Sequence, residues 1–318
     1  GVKGLKYQLC ECGDRVEEEI AAIPTLSLKG RTLELQSNIS FIYRVDPAYI
    51  TTYGYTNLRI EFKLANQTTL VEEYTTNASG VYEFRFENIA PQQMTDILYA
   101  TVYAEYEGET YSVSYDNYSV AIYCVNQIGK TQSLPAYAEF CTFLVDLLQY
   151  GAAAQNYRSY NTDNLATSGL TAAQLALGTS TNATATKITN KNYVVIENAT
   201  AEFKAATLIL EDAITVRLGF DLLNGQTIDG VSVKFESVDK TWVIDAEDFE
   251  VSGVRYYANL KELNPAQMRE PLYATVYKDG KAISNTFRYS IESYADGKLT
   301  AGDNRAILLK AMLNYGDS

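Results

Sequence analysis

The sequence predicts a mainly β protein with a few helices, built as two tandem antiparallel β-sandwich repeats, each followed by a C-terminal helix. Three observations predict it. The stretch from Ile89 to Tyr103 returns from Leu263 to Tyr277 at a constant offset of 174, identical at nine of fifteen positions: the proline, a glutamine, the methionine and the six residues Leu-Tyr-Ala-Thr-Val-Tyr. Within that stretch side chains alternate, with Leu98, Ala100 and Val102 on one face and Tyr99, Thr101 and Tyr103 on the other, the period of a half-buried strand. A helical pattern ending in Tyr-Gly also occurs twice, Phe143 to Gly151 and Leu308 to Gly316. A repeat period this far above a solenoid's means two copies of a whole domain.

In chain order, residues 1–24 read as a leader, the remnant of a short cysteine-containing module. Residues 25–160 form the first repeat. Arg31–Gln36 and Ile39–Val45 alternate as strands, and Leu58–Leu64 does so cleanly, with Leu58, Ile60, Phe62 and Leu64 inward. Thr68–Tyr74 and Val81–Phe86 follow, then the Pro91 corner, the strand Leu98–Tyr103, a turn at Glu107-Gly108 and a long strand Tyr111–Cys124. About seven short strands with regular turn signals predict an Ig-like sandwich with Greek-key connections. A helix starts near Ser133 and Pro135. Its apolar stripe, Phe140, Phe143, Leu144, Leu147, Leu148 and Gly151, must cover the sandwich end or the junction between repeats.

Residues 161–192, rich in Asn, Thr, Ser, Ala and Gly, form a linker with a short helix at Thr171–Leu177. The second repeat, 193–318, restates the first: Thr207–Asp221 aligns with Thr32–Asp46, and Val231–Phe235 with Leu58–Phe62. Its hairpin turn, Asp279-Gly280, is a pair that type I′ turns favour. Asp303 is placed to cap the closing helix, which runs to Tyr315.

Composition excludes several function classes. The 318 residues hold no histidine, which removes Ser–His and Cys–His catalysis and imidazole metal sites. A formal charge of −13 argues against nucleic acid or an anionic membrane as partner. No apolar run approaches the length of a membrane span, and no signal-peptide pattern opens the chain. Gly1-Val2 and Gly316-Asp317-Ser318 read as the ends of a piece trimmed from something longer. The 26 tyrosines, against 11 phenylalanines and one tryptophan, suit half-buried strands and equally suit protein or sugar contact surfaces.

The run Leu144–Tyr157, followed by Tyr160-Asn-Thr-Asp-Asn-Leu165, resembles a repeated module of large secreted proteins from gut anaerobic Gram-positive bacteria. The leader, Cys10-Glu-Cys12-Gly13 with Ile23-Pro-Thr-Leu26, is similar to short cysteine-containing repeats of such proteins. The resemblance implies a secreted or cell-surface setting, with neighbouring modules of the same polypeptide and a polysaccharide or a host or cell-surface protein as partners. It carries no catalytic motif and implies no cofactor.

Candidate sites are few. Cys10 and Cys12 give half a zinc knuckle at a spacing one residue short, with no second pair, so no metal site is expected there. Cys124 and Cys141 belong to one copy only. In a secreted protein they form a disulfide tying helix to sheet, worth ~3 kcal/mol by loop entropy, or stay as two separately buried thiols. Asp245, Glu247 and Asp248 are the densest acidic cluster but lack a Gly-punctuated calcium loop and read as solvated. A glycoside hydrolase needs only two carboxylates, but also a cleft that core-filled sandwiches rarely provide, so no enzyme is expected. Trp242 is read as strand packing.

Comparing the two copies separates framework from variation. The loop Asp46–Asn57 carries Tyr49, Tyr53 and Tyr55, whereas its counterpart, 221–230, is shorter and has no aromatic residue. Three tyrosines there form either a platform for sugar rings or a protein contact, or else a cap on the end of the sandwich. The expected role is therefore a non-catalytic module pair, structural or adhesive. The alternative is a carbohydrate-binding module working through the tyrosine loop.

Overall fold

The computed structural model describes residues 4–9, 15–20, 25–35, 38–180, 183–211, 214–261, 263 and 267–318. The Cys10-x-Cys12-Gly13 motif of the leader and Asn264-Pro265 of the repeated stretch lie outside them. The chain divides into two compact units. One takes the chain through Leu35 together with Ile39–Asn88 and Asp96–Tyr123, and the other takes Gln36–Asn38, Ile89–Thr95 and Cys124–Ser318.

In the first unit β1 (Gly4–Leu9) and β2 (Arg15–Ile20) form an antiparallel pair of their own. The sandwich follows: β3 (Leu28–Leu35), β4 (Ile39–Val45), a one-turn helix α1 (Ala48–Thr51), β5 (Thr56–Leu64), β6 (Gln67–Val71), β7 (Thr75–Thr76), β8 (Tyr82–Phe86), β9 (Leu98–Tyr106) and β10 (Glu109–Tyr115). One sheet runs β3-β4-β8-β7 and the other β10-β9-β5-β6, all antiparallel. Lettered in sequence, these are sheets ABED and GFC with an added C′ strand, the immunoglobulin arrangement. The alternation read in β5 is the one observed: Leu58, Ile60, Phe62 and Leu64 are buried while the residues between them are not. Phe62 reaches across to the facing sheet, 5.0 Å from the Tyr43 ring and 5.4 Å from Phe86, so the core is aromatic and closed.

The expected strand Tyr111–Cys124 is corrected. It ends at Tyr115, and α2 (Val120–Thr131) begins five residues later. The Ser119 hydroxyl accepts the Ile122 amide at 3.1 Å, capping the helix start, and the Tyr118 carbonyl accepts the Leu98 amide at 2.8 Å. The β-branched and aromatic residues of Val120-Ala-Ile-Tyr123 read as strand, but the cap decides otherwise.

In the second unit, α3 (Ala138–Arg158) and α4 (Ala172–Leu175) precede the strands. Thr171 and Gln174 form the capping box of α4, at the expected position. Next come β11 (Asn192–Val194), β12 (Ala201–Leu210), β13 (Ile214–Leu222), β14 (Val231–Glu236), β15 (Thr241–Asp245), β16 (Glu250–Ser252), β17 (Arg255–Leu260), β18 (Leu272–Lys278), β19 (Lys281–Ala282) and β20 (Thr286–Tyr289). Two helices close the chain, α5 (Ile291–Ala295) and α6 (Asn304–Asp317).

The sheets β12-β13-β17-β16 and β20-β18-β14-β15 repeat the strand order of the first unit, and β11 joins the second sheet at its β20 edge. Register repeats too: Phe62 lies opposite Ala100, and Phe235 opposite Ala274. The fold is thus mainly β, two Ig-like sandwiches of common topology with a few helices. Trp242 is buried in its strand.

The repeated helical pattern is largely buried in this unit, although Phe140, the first residue of the expected stripe, is exposed and Phe143 half-buried. Leu144, Leu147 and Leu148 of α3, and Leu308, Leu309, Met312 and Leu313 of α6, are all nearly inaccessible. The two helices pack on each other. The Tyr315 ring lies 5.3 Å from Phe143, and Asn304 Nδ2 donates to the Asn156 carbonyl at 3.1 Å, so they run antiparallel. Asp303 caps α6 by accepting the Ala306 amide at 2.8 Å, as its position predicts. Gly151 of α3 faces the Met94 thioether, and a Cβ built on it would meet that sulfur and stand 3.1 Å from the Ala166 methyl. Two buried polar residues fasten the following segment to α3. Asp146 accepts from the Thr179 amide and hydroxyl at 2.8 and 2.5 Å, and Gln155 bonds Ala166 N, Asn164 O and Thr95 Oγ1.

Candidate functional site: the tyrosine loop

The loop after β4 is organised by Asp46 and Pro47. The Asp46 carboxylate accepts the Ala48 amide at 3.0 Å while proline sets the first turn, which fixes α1. That amide bond, with the Lys29 ammonium 3.3 Å away, holds the Asp46 carboxyl below its usual range against the opposing effect of burial. Gly54 then turns the chain at a φ of +75°, where a Cβ would lie 3.9 Å from the Tyr106 ring.

This geometry folds the tyrosines inward. Tyr49 is 6% and Tyr55 2% exposed. The Tyr49 hydroxyl donates to the Thr25 carbonyl at 2.9 Å and lies 2.9 Å from Ser27 Oγ, stitching the loop to the chain entering β3. The Tyr55 ring sits edge-on to Tyr49 at 5.8 Å and to Tyr111 at 5.9 Å, with Tyr106 at 5.6 Å. Burial, then the neighbouring Tyr111, Tyr49 and Tyr106 hydroxyls, pushes the Tyr55 phenol up. The charge of Glu107 beside Tyr106 raises that phenol as well.

The three-ring platform read from the sequence is therefore corrected for Tyr49 and Tyr55, whose faces are used up in a cap on the end of the sandwich. Tyr53 alone of the three is open, at 41% exposure, with its ring 6.3 Å from Tyr49. It shares that end with Tyr111, 44% exposed on β10. Tyr106 and Tyr111 were not singled out from the sequence, yet both flank the Glu107-Gly108 turn, and a hairpin register drawn from that turn brings them to the loop. The second copy has nothing similar. Its loop turns at Asn224-Gly225, and Asp221 is engaged with Arg255 by two bonds of 2.8 and 3.0 Å.

The other candidates resolve into packing or solvent. Cys124 and Cys141 are free, buried thiols, so the bridge is not made. Cys124 lies on α2 and not on a closing strand, and burial pushes its thiol up; Cys141 Sγ sits 3.3 Å from the Thr131 hydroxyl. Asp245, Glu247 and Asp248 are exposed around a 3-10 turn, and no group of three potential metal ligands forms among the described residues. A small hollow of about 10 Å³, room for a single water at most, lies beside Leu263, Gln267, Glu270 and Ser290 in the second unit. No helix among the described residues is long and apolar enough to cross a membrane.

No protein-family model matches the chain, and no curated protein matches it. Among solved structures, the FN1–FN3 domains of chicken CNTN1 are similar over 89% of this chain and 75% of theirs, at 7% identity and a TM-score of 0.20. A chimeric titin Z1Z2–Z1Z2 tandem, functionalized with a GRGDS exogenous peptide from fibronectin, is similar over 82% of this chain and 96% of its own, at 9% identity and a TM-score of 0.17. At such scores these likenesses carry no weight, and the Ig-like assignment stands on strand order and register.

Proposed function

We propose that this chain is a non-catalytic module pair, structural and adhesive, in a secreted or surface-attached protein, with repeats at 25–160 and 193–318 joined by the linker 161–192. The observation that supports it most is how the sandwich interiors are filled. Phe41, Tyr43, Phe62, Phe84 and Phe86 occupy one, and Val216, Phe220, Val233, Phe235 and Phe287 the other, all buried. A glycoside hydrolase requires two carboxyl groups roughly 5–10 Å apart across a sugar-sized cleft. Among the described residues the acidic side chains are mostly exposed or committed to neighbours, as Asp221 is to Arg255 and Glu83 to Arg44, and Glu270, whose Oε2 is buried without a hydrogen-bond partner, shares its hollow with no second carboxylate. A carbohydrate-binding role for the tyrosine loop falls to Tyr53 and its neighbour Tyr111.

Two measurements on the intact chain test this reading. One is release of reducing ends from a panel of soluble polysaccharides. The other is retention of labelled protein on extracellular-matrix proteins and on cell-wall polysaccharide. The proposal expects no release and saturable retention on protein. Sugar release would overturn its non-catalytic half, and absence of retention on any protein surface its adhesive half. Retention on polysaccharide that Tyr53→Ala abolishes would shift the reading to a carbohydrate-binding module.

A further inference from the structure

β10 is an edge strand with no partner on its outer side among the described residues. The second copy supplies an internal comparison. There the equivalent edge, β20, is covered by β11, whose Asn192 and Val194 stand opposite Phe287 and Thr286. That edge is also interrupted, since β19 and β20 are separated by Ile283-Ser284-Asn285 and the Ser284 hydroxyl takes the Val276 amide at 2.8 Å. Among the described residues the first copy shows neither protection. β10 runs unbroken for seven residues, and Thr110-Tyr-Ser-Val-Ser-Tyr115 contains no charge and no proline. Folds that keep such an edge from pairing place lysine, proline or a bulge on it.

The hairpin geometry shows which groups the edge offers. Glu107 and Gly108 both have positive φ, 50° and 83°, the signature of a two-residue type I′ turn. Such a turn makes Tyr106 and Glu109 a hydrogen-bonded pair, so Thr110, Ser112 and Ser114 turn their N–H and C=O groups away from β9. All three residues are exposed. Charge describes the partner. Glu107 and Glu109 at one end of β10 and Asp116 at the other are exposed, with no ion pair among the described residues. Arg31, which reaches the far end, is taken up by the Tyr118 ring at 3.9 Å and by Asn117. Tyr111, on the same strand, is 44% exposed.

From this we infer that β10 is a docking edge for an extended segment of a partner protein, which adds to the sheet as an antiparallel strand, uncharged at its centre and carrying Lys or Arg at its ends. The inference rests on the adhesive half of the function proposed above and names the partner's chemistry. Main-chain bonds to Thr110, Ser112 and Ser114 supply the affinity. The terminal cations meet Glu107, Glu109 and Asp116, and one of them reaches the Tyr111 ring. A second copy of this chain is a poor occupant, because antiparallel self-pairing sets these acidic ends side by side in a chain of net charge −13.

The test uses the 318-residue chain and two labelled peptides, Lys-Thr-Val-Thr-Val-Thr-Lys and the same sequence with glutamates at its ends, followed by fluorescence anisotropy. The lysine-ended peptide should bind saturably and more weakly as salt rises, and the glutamate-ended one at least tenfold more weakly. Ser112→Pro removes one outward amide at an edge position that tolerates proline and should weaken binding about fivefold. Glu107→Lys with Glu109→Lys, a surface change, should do the same without altering the thermal midpoint. No saturable binding of the lysine-ended peptide, equal binding of both peptides, or binding untouched by Ser112→Pro and by the charge reversal would overturn the inference. So would a dimer, seen by sedimentation, that Ser112→Pro dissociates. If wild-type protein is retained on matrix protein while the peptides fail, the edge is refuted and the adhesive reading stands. If retention itself is absent, the adhesive reading has failed by its own measurement.

Discussion

The rings of Tyr150 and Tyr315 stack with centroids 5.7 Å apart and planes 18° from parallel. They are equivalent residues, each preceding the glycine of the repeated Tyr-Gly ending, so the two copies of one motif meet at the same residue. Both phenols are pushed up, first by burial; Tyr315 beside it contributes further at Tyr150. Tyr315→Ala should lower the free energy of unfolding by about 3–5 kcal/mol, the range for a buried aromatic truncated to alanine. A urea-denaturation cycle with Tyr150→Ala should return a coupling of about 0.5–1.5 kcal/mol. Additive effects would mean that the stack contributes only as buried area.

Gly151 makes a second prediction in the opposite sense to helix propensity. Alanine normally favours a helix interior over glycine by about 1 kcal/mol. Here the new methyl would strike the Met94 thioether. Gly151→Ala should therefore destabilise by about 1–3 kcal/mol, as overpacking does, and Met94→Ala should recover part of the loss. A gain in thermal midpoint for Gly151→Ala alone would contradict the packing described.

The tyrosine loop predicts two different outcomes for neighbouring residues. Tyr55→Ala should cost about 3–5 kcal/mol because its ring is buried against Tyr49, Tyr106 and Tyr111. Tyr53→Ala should cost roughly 1 kcal/mol or less, being open to solvent. Thermal melts of the two variants separate them, and only Tyr53→Ala reports on ligand binding without reporting on folding.

Acid should weaken the Asp221–Arg255 pair. Two hydrogen bonds from the guanidinium hold the Asp221 carboxyl below its ordinary value of 3.8, against a smaller opposing effect of burial. A carboxyl depressed in the folded state gives its stabilisation in full above 3.8, and loses it as pH falls through the lower folded value. Asp221→Asn should melt below wild type at pH 7, with the gap narrowing as pH drops beneath 3.8. A gap constant with pH would show that the pair is not the cause.

The buried thiols give a chemical check. In a Cys10→Ser, Cys12→Ser background, Cys124 and Cys141 should resist a thiol reagent in the native protein and both react in denaturant. Failure of either to react after unfolding without reductant would mean that a bridge forms.

Legibility followed the strength of the local signal. Strand order could be read because Leu58, Ile60, Phe62 and Leu64 alternate without exception and because the second copy restates them as Val231, Val233 and Phe235. α2 was missed because Val120-Ala-Ile-Tyr123 looks like strand taken alone. The signal that finds it was present: Tyr118-Ser119-Val120 matches Tyr289-Ser290-Ile291, and Ser290 caps α5 as Ser119 caps α2, through amide bonds of 2.9 and 3.1 Å. The direction of the loop tyrosines was not legible. A tyrosine in a polar loop serves equally as an exposed ring or as a plug, and Asp46, Gly54 and the distant Tyr106 and Tyr111 together select the plug for Tyr55. β11 escaped for a similar reason, since three exposed residues become a strand only when β20 is beside them.

The antiparallel seating of α3 on α6 has a hereditary consequence. Tandem copies are readily gained and lost when genes recombine, and most repeat arrays tolerate a change of one unit. Here the helix carrying Tyr150 finds its counter-surface on the helix carrying Tyr315, and a chain that lost either would leave the Tyr315 ring, or the rings of Phe143 and Tyr150, without a partner. Selection then acts on the couple, not on the copy: such modules should be inherited in even numbers, and a substitution at one of the two tyrosines should be answered in time by a substitution at the other.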